Sequence, residues 1–246
     1  MEVHHHSARS HKKWTHYLFE FLMLFLAVFC GFLAEYQLEH KIEKDREKQF
    51  IRSLAADLKD DITSFNQYLQ QERRNVLLFD TLCTYLDSPA LARAHGDALY
   101  YAARMGQRTA PFVNNSRTFD QLTNSGGFRL IRSEETSARI MRYYSQIPWI
   151  RLLEGIFNRE TDAYKSVSAK VIDPGIYRRQ ENPDGTISRS TDNPALLTYD
   201  RLLLKEMEFH VVQMNGSRRG LIRMVAQLAQ SAEELWTYLN DSYDIR

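Results

Sequence analysis

Guanidinium groups are the most concentrated chemistry in this sequence. Residues 93–159 hold ten arginines, no lysine and five acids, a local net charge of +5. The flanking stretches 37–92 and 160–246 each carry −2. Arg129, Arg132, Arg139 and Arg142 form the tightest group, around a helix start expected at Ser133. A guanidinium fork matches phosphate and carboxylate geometry. These four are therefore candidate contacts for an anionic ligand, lipid headgroups, an envelope polymer or an acidic protein. The alternative is internal: a basic middle packs between acidic outer helices, in surface pairs that contribute little.

Other side chains offer less. His95 and His210 stand alone, with no HExxH, paired cysteines or carboxylate cluster at ligand spacing, so no metal and no cofactor is expected. No GxSxG elbow occurs, which removes support for a hydrolase. Asp60 and Asp61 are neighbours on an expected helix, point apart, and read as solvated. Gly126-Gly127 lacks the Lys-Ser/Thr and the preceding strand of a phosphate loop. No catalytic residue is assigned, and the chain is expected not to be an enzyme. Cys30 and Cys83 are too few for a disulfide scaffold or a cysteine-rich zinc module. His4, His5, His6 and His11 read as part of a solvated polar tail, with loose metal binding as the alternative. Lys and Arg total 32 against 31 Asp and Glu, a balance that argues against a nucleic-acid partner.

The elements that must carry these residues begin with a membrane anchor. Phe21 to Ala34 has no charged or amide side chain, and residues 17–36 contain eleven Leu, Phe or Val. Twenty helical residues rise roughly 30 Å, the thickness of the hydrocarbon core. Insertion is favoured by about 3–7 kcal/mol, opposed by Glu20 and Glu35 near the ends. Trp14, Tyr17 and Tyr36 stand where interfacial aromatics stand. A buried core helix would show a polar face, and none appears. Cleavage as a signal peptide is disfavoured by bulky Phe32 in Phe32-Leu33-Ala34, and lipoprotein processing at Cys30 by Phe29 before it. Ala27, Gly31 and Ala34 give a small-residue face for self-association in lipid, so a homo-oligomer is a candidate state.

The expected organisation is a disordered polar tail at 1–13, a transmembrane helix at 14–36, a charged helical neck at 37–49 and a helical-bundle domain at 50–246 with an irregular loop at 173–194. Eight of the eleven residues from Glu39 to Gln49 are ionised, with opposite charges at i,i+3, so the anchor should continue into the neck as one helix. Two apolar series follow. One is Ile51, Leu58, Phe65, Glu72, Phe79, Leu86; the other is Ala55, Ile62, Leu69, Val76, Cys83, Ala90. The spacing suits a bundle or a coiled coil, and the aromatics favour the bundle. Cys83 lies in the stripe and reads as a buried thiol.

Ser88 should cap the next helix, with Pro89 in its first turn. Residues 90–105 are expected to be helical, and 106–115 a loop. A short helix should follow through Asn124, capped by Asn115 or Ser116, with Phe119 and Leu122 inward and Gly126-Gly127 as its stop. A helix capped by Ser133 should bend at Pro148 and run to about Lys170. Tyr177 and Ile187 flank an expected hairpin in the loop. A final helix carries Leu221, Leu228 and Leu235 interleaved with Val225, Ala232 and Leu239. The fold class expected is all-α.

The opening MEVHHH, the anchor EFLMLFLAVFCGFLAE and the segment TFDQLTNSGGFRLI at 118–131 resemble an uncharacterised bacterial family of small single-pass membrane proteins. The matching positions in the central motif are Thr118, Phe119, Leu122, Ser125, Gly126, Leu130 and Ile131, which read physically as a cap-and-core junction between two helices. The resemblance implies an envelope protein with an N-terminal anchor and a helical domain, and conveys no activity. The expected role is a membrane-anchored interaction or scaffold protein of the cell envelope, with the lipid bilayer and an envelope protein or anionic molecule as partners. The alternative is a ligand-binding or sensory module that recognises an anion or lipid headgroups through the Arg-rich middle. Lys41, Lys44, Arg46, Lys48 and Arg52 outnumber Arg9, Lys12 and Lys13, but Glu39, Glu43, Asp45 and Glu47 neutralise them. The tail is therefore expected in the cytoplasm, the anchor in the inner (plasma) membrane and the C-terminal domain in the periplasm.

Overall fold

The computed structural model describes residues 14–245. The polar tail and its histidines lie outside the described residues. The protein is all-α, and no named strand occurs among the described residues. The chain divides into two compact units, Met1–Phe50 and Ile51–Arg246.

In the first unit every described residue belongs to α1, Trp14–Leu86. An 18-residue window of α1 near the N-terminus has a mean hydropathy of 2.2, with none of it buried. Phe19, Phe21, Met23, Leu24 and Phe32 are all exposed. By length and composition this helix is able to cross a membrane.

The second unit is a helical bundle. Its helices are the remainder of α1, α2 (Pro89–Ala94), α3 (Gly96–Gly106), α4 (Arg117–Asn124), α5 (Glu134–Tyr144), α6 (Ile147–Val171), α7 (Pro174–Gln180) and α8 (Arg201–Tyr243). The long helices carry the core. In the first apolar series Ile51, Leu58, Phe65, Phe79 and Leu86 are buried, and so is Glu72. In the second, Ala55 and Leu69 are buried, Ile62, Val76 and Cys83 half-buried, and Ala90 exposed. On α8 all six of Leu221, Val225, Leu228, Ala232, Leu235 and Leu239 are buried. Cross-links set the directions. Lys205 meets Asp87, Arg219 meets Asp80, and Arg218 meets Glu72, so α8 runs antiparallel to α1. Lys170 pairs with Glu206 and Tyr238 bonds Thr136, so α8 also runs antiparallel to α6 and α5.

Several helix boundaries follow local rules. Ser88 Oγ accepts from the Leu91 N–H with Pro89 in the first turn, and Ser133 Oγ accepts from the Thr136 N–H. Gly126 takes φ +67°, the left-handed position a helix exit requires.

Four expectations need correction. First, residues 90–105 are two helices, broken at His95. The Gly96 N–H donates to Asn193 Oδ1 at 2.6 Å, and a Cβ on Gly96 would lie 2.1 Å from the Pro194 carbonyl oxygen. The distant loop therefore presses on this backbone. Gly96→Ala should destabilise the domain by about 1–3 kcal/mol through overpacking, read as a lower urea midpoint with unchanged helical circular dichroism.

Second, the helix begun at Ser133 does not bend at Pro148. It stops at Tyr144 and α6 starts at Ile147. Proline lacks an N–H and its ring clashes with the carbonyl four residues back, here that of Tyr144. Third, α4 buries Thr118 and Leu122, whereas Phe119 is half-buried and stacks on Tyr144 at 4.0 Å. Ser116 holds the cap position of α4 but its hydroxyl goes to Asp120, and the Arg117 N–H donates to Asn115 Oδ1 at 3.4 Å.

Fourth, the loop at 173–194 begins as a helix. Asp173 caps α7, accepting from the Gly175 N–H at 2.7 Å. Tyr177 is inside α7, and the hairpin contact is the single bridge Glu181–Ile187, with Gly185 at φ +78°. Irregular backbone then continues to Asp200, which caps α8. Its second half is tied down. Asn193 Nδ2 donates to the Arg93 carbonyl, Tyr100 OH to that of Ala195, and the Leu197 N–H to that of Val171.

Candidate functional site

Of the four candidate arginines, Arg139 and Arg142 line a common cleft. Arg129 lies in the 3-10 turn Gly127–Leu130, and Arg132 just beyond it; both are exposed. Arg139 and Arg142 lie on α5. They share a narrow cleft of about 60 Å³ with Tyr143, Gln146, Ser231, Glu234 and Leu235, far below the roughly 300 Å³ of small-molecule sites. Arg139 is engaged already: its Nε donates to Glu135 at 2.6 Å and its guanidinium lies over the Tyr238 ring at 4.4 Å. Acids of the flanks take up other arginines of the basic segment, Asp57 holding Arg117 and Glu181 holding Arg104. The internal use of these charges therefore accounts for part of the segment.

Two buried polar clusters were not expected from the sequence. Asp57 and Asp61 sit one turn apart on α1, at 0% and 2% exposure. Asp57 accepts from Asn115 Nδ2 at 2.9 Å, Arg117 at 2.8 Å and the Thr118 N–H at 3.1 Å, and also from the Thr118 hydroxyl. Asp61 accepts from the Asn115 N–H and from Tyr143 OH, each at 2.6 Å. Burial pushes its carboxyl up to about 6, with Asp57 and Asp60 adding to the rise and the two hydrogen bonds opposing it. Asp60 is exposed, so only one of the adjacent pair is solvated. These carboxylates are surrounded by donors from residues 115–118 and α5. They fasten that segment rather than face a substrate.

The second cluster is Glu72 with Arg218, both essentially unexposed. Arg218 Nε donates to Glu72 Oε2 at 2.7 Å, and its terminal nitrogens reach the carbonyls of Gly106 and Arg108. Glu72 Oε1 accepts from the Ala110 N–H at 2.9 Å and from the Thr109 hydroxyl at 3.1 Å. Phe79 and Phe157 rings lie 4.6 and 4.8 Å from the guanidinium. The visible signal was the lone acid in an apolar series.

His95 stacks on Tyr85 at 4.5 Å, and His210 meets Phe209 edge-on at 5.6 Å. Among the described residues no three His, Cys, Asp or Glu side chains are grouped to hold a metal. Burial raises the Cys83 thiol to about 11, with Glu208 and Asp80 adding to the rise, a poor nucleophile. In the apolar part of α1, Ala27, Gly31 and Ala34 are exposed, and a Cβ on Gly31 would meet nothing within 4 Å.

Three larger clefts remain among the described residues, one of them, of about 310 Å³, lined by Arg73, Val76, Arg219, Ile222 and Arg223. A second, of about 580 Å³, lies between Arg52, Ala55, Ala56 and Lys59 of α1 and Trp236, Thr237 and Asn240 of α8. The third, of about 340 Å³, is lined by Arg104, Gln107, Arg108, Thr161, Lys165 and Tyr177. It joins α3, α6 and α7, and so brings the Arg-rich segment to the start of the predicted loop.

No protein-family model, no curated protein and no solved structure matches the chain. The motif 118–131 forms α4, the Gly126 exit and the 3-10 turn, with Thr118, Leu122 and Ile131 buried. It is a junction between helices.

Proposed function

We propose that this chain is a membrane-anchored helical interaction or scaffold protein of the bacterial cell envelope, acting by binding rather than catalysis. The observation that carries the proposal is the uncovered apolar segment of α1: an 18-residue window of mean hydropathy 2.2 with no buried share. Contiguous apolar surface of that size is costly in water and stable among acyl chains. Residues 14–36 are the anchor, in the inner (plasma) membrane, and the bundle is the extracytoplasmic part. The bundle supports a binding role through its clefts and through buried carboxylates that brace loops rather than line a reaction site.

Alkaline carbonate washing tests the anchor. The chain should stay in the vesicle pellet, and release into the supernatant would overturn the proposal. Crosslinking in intact membranes followed by pull-down tests the role. One envelope protein should be recovered reproducibly in stoichiometric yield, and recovery of the chain alone would count against a scaffold.

A further inference from the structure

We infer that the segment 115–131, which comprises α4, the Gly126 exit and the 3-10 turn, is a pH-sensitive flap latched onto α1 by Asp57 and Asp61. The inference goes beyond the anchored-scaffold proposal and does not depend on it.

The segment is built to move as one piece. Phe119 meets Phe128 edge-on at 5.8 Å, and a Cβ on Gly127 would lie 3.1 Å from Leu122 Cδ2, so α4 and the 3-10 turn pack on each other. Both ends are fixed. Before the segment, Phe112 is buried and stacks on Phe65 at 5.5 Å; at its close, Ile131 is buried. Between those points the apolar hold is slight. α4 buries only Thr118 and Leu122, and Phe119 stacks on Tyr144. Short elements with little buried apolar surface open at lower free energy than the core.

The polar hold is concentrated on two carboxylates. Asp57 accepts from Asn115, Arg117 and Thr118, and Asp61 from the Asn115 N–H. Tyr144 OH adds one bond, to the Asn115 carbonyl at 3.2 Å. The two carboxylates lie one helical turn apart, and their surroundings differ. Asp57 has a cation in Arg117. Asp61 has none among the described residues: its donors are the neutral Asn115 N–H and Tyr143 hydroxyl. The other charged or titratable groups around it are Asp57 and Asp60 of α1, Asp120 of α4 and Tyr144 of α5. Arg139 and Arg142 of α5 share their cleft with Tyr143 and with Glu234 of α8, and Arg139 is held by Glu135.

A proton on Asp61 leaves one negative charge in the pair, and its O–H can be given to the Tyr143 oxygen across the same 2.6 Å. Loss of that proton puts two anions in one buried site. Opening hydrates both. The closed flap is therefore favoured most at low pH, and progressively less as pH rises through the Asp61 titration at about 6.

Hydrogen exchange of the full chain in phosphatidylcholine nanodiscs, corrected for the intrinsic rate at each pH, tests the flap. The amides of residues 120–125 should open at lower free energy than those of residues 221–239 in α8, and with less urea dependence. Between pH 4.5 and pH 7.5 their opening constant should rise about 25-fold, the ratio set by a carboxyl that titrates at about 6 when closed and at 3.8 when open. Asp61→Asn should flatten that rise, and Asp60→Asn, at an exposed position, should leave most of it in place. Exchange of residues 120–125 in step with α8, at the same urea dependence, would mean that the segment unfolds only with the whole bundle, and overturns the flap. A rise of the same size in Asp61→Asn overturns the latch.

Discussion

Arg218→Leu should lower the stability of the bundle by about 3–5 kcal/mol, the loss typical when one partner of a buried ion pair is removed. The substitution strands Glu72 at 1% exposure with no cation. It also frees the carbonyls of Gly106 and Arg108, which the guanidinium satisfies. The pair itself adds less than this cost suggests, since burial pulls the guanidinium down from its ordinary value while Glu72 opposes that. Glu72→Gln should cost a comparable amount: its amide oxygen can still accept from Ala110 and Thr109, but its NH2 replaces the oxygen that accepts from Arg218 Nε, and the buried guanidinium loses its anion. Equilibrium urea unfolding of both single variants and of Glu72→Gln with Arg218→Leu measures the coupling. Strict additivity would show that the two side chains do not act together.

The second large effect is a pH dependence centred on Asp61. Its carboxyl titrates at about 6 in the fold against an ordinary 3.8. Between these values the folded chain holds a proton that the unfolded chain has released. Stability from this group is therefore complete below pH 3.8 and declines as pH rises through 6, by about 3 kcal/mol at most. Asp61→Asn removes the titration while keeping the contacts. Its Oδ1 can accept from the Asn115 N–H, and its amide can donate to the Tyr143 oxygen. The variant should gain stability relative to wild type by about 2–3 kcal/mol between pH 4 and pH 7.5. The difference between the two proteins isolates Asp61 from other carboxylates. Parallel stability curves across that interval would refute the assignment.

The contrast between Ser88 and Asp61 explains how much of the protein was legible from its residues. Ser88, Ser133 and Gly126 act on backbone within three or four positions, and their roles were readable. The apolar stripes of α1 and α8 were readable too, because helical spacing alone decides which side chains share a face. Asp61 was misread as solvated because its partners, Asn115 and Tyr143, are 54 and 82 residues away. Glu72 visibly interrupted its stripe, but Arg218, 146 residues distant, looked like any other arginine. Asp173-Pro174-Gly175 was ambiguous in itself: the same residues make a turn or cap a helix. The cleft at Tyr177 needed α3, α6 and α7 together, so no local pattern announced it. Of the group Arg129, Arg132, Arg139 and Arg142, close in sequence, Arg139 and Arg142 share a cleft.

The irregular segment before α8 is unequal along its length. From Asn193 to Leu197 it is stitched to α3 and to the end of α6, whereas residues 183–186 are an exposed turn around Gly185. A protease that clips at Gly185 severs the covalent thread without unseating α8, which stays held by Asp80, Glu72 and the apolar faces of its neighbours. The two pieces would travel together as a non-covalent heterodimer, and the same turn is the natural splice point for an inserted tag.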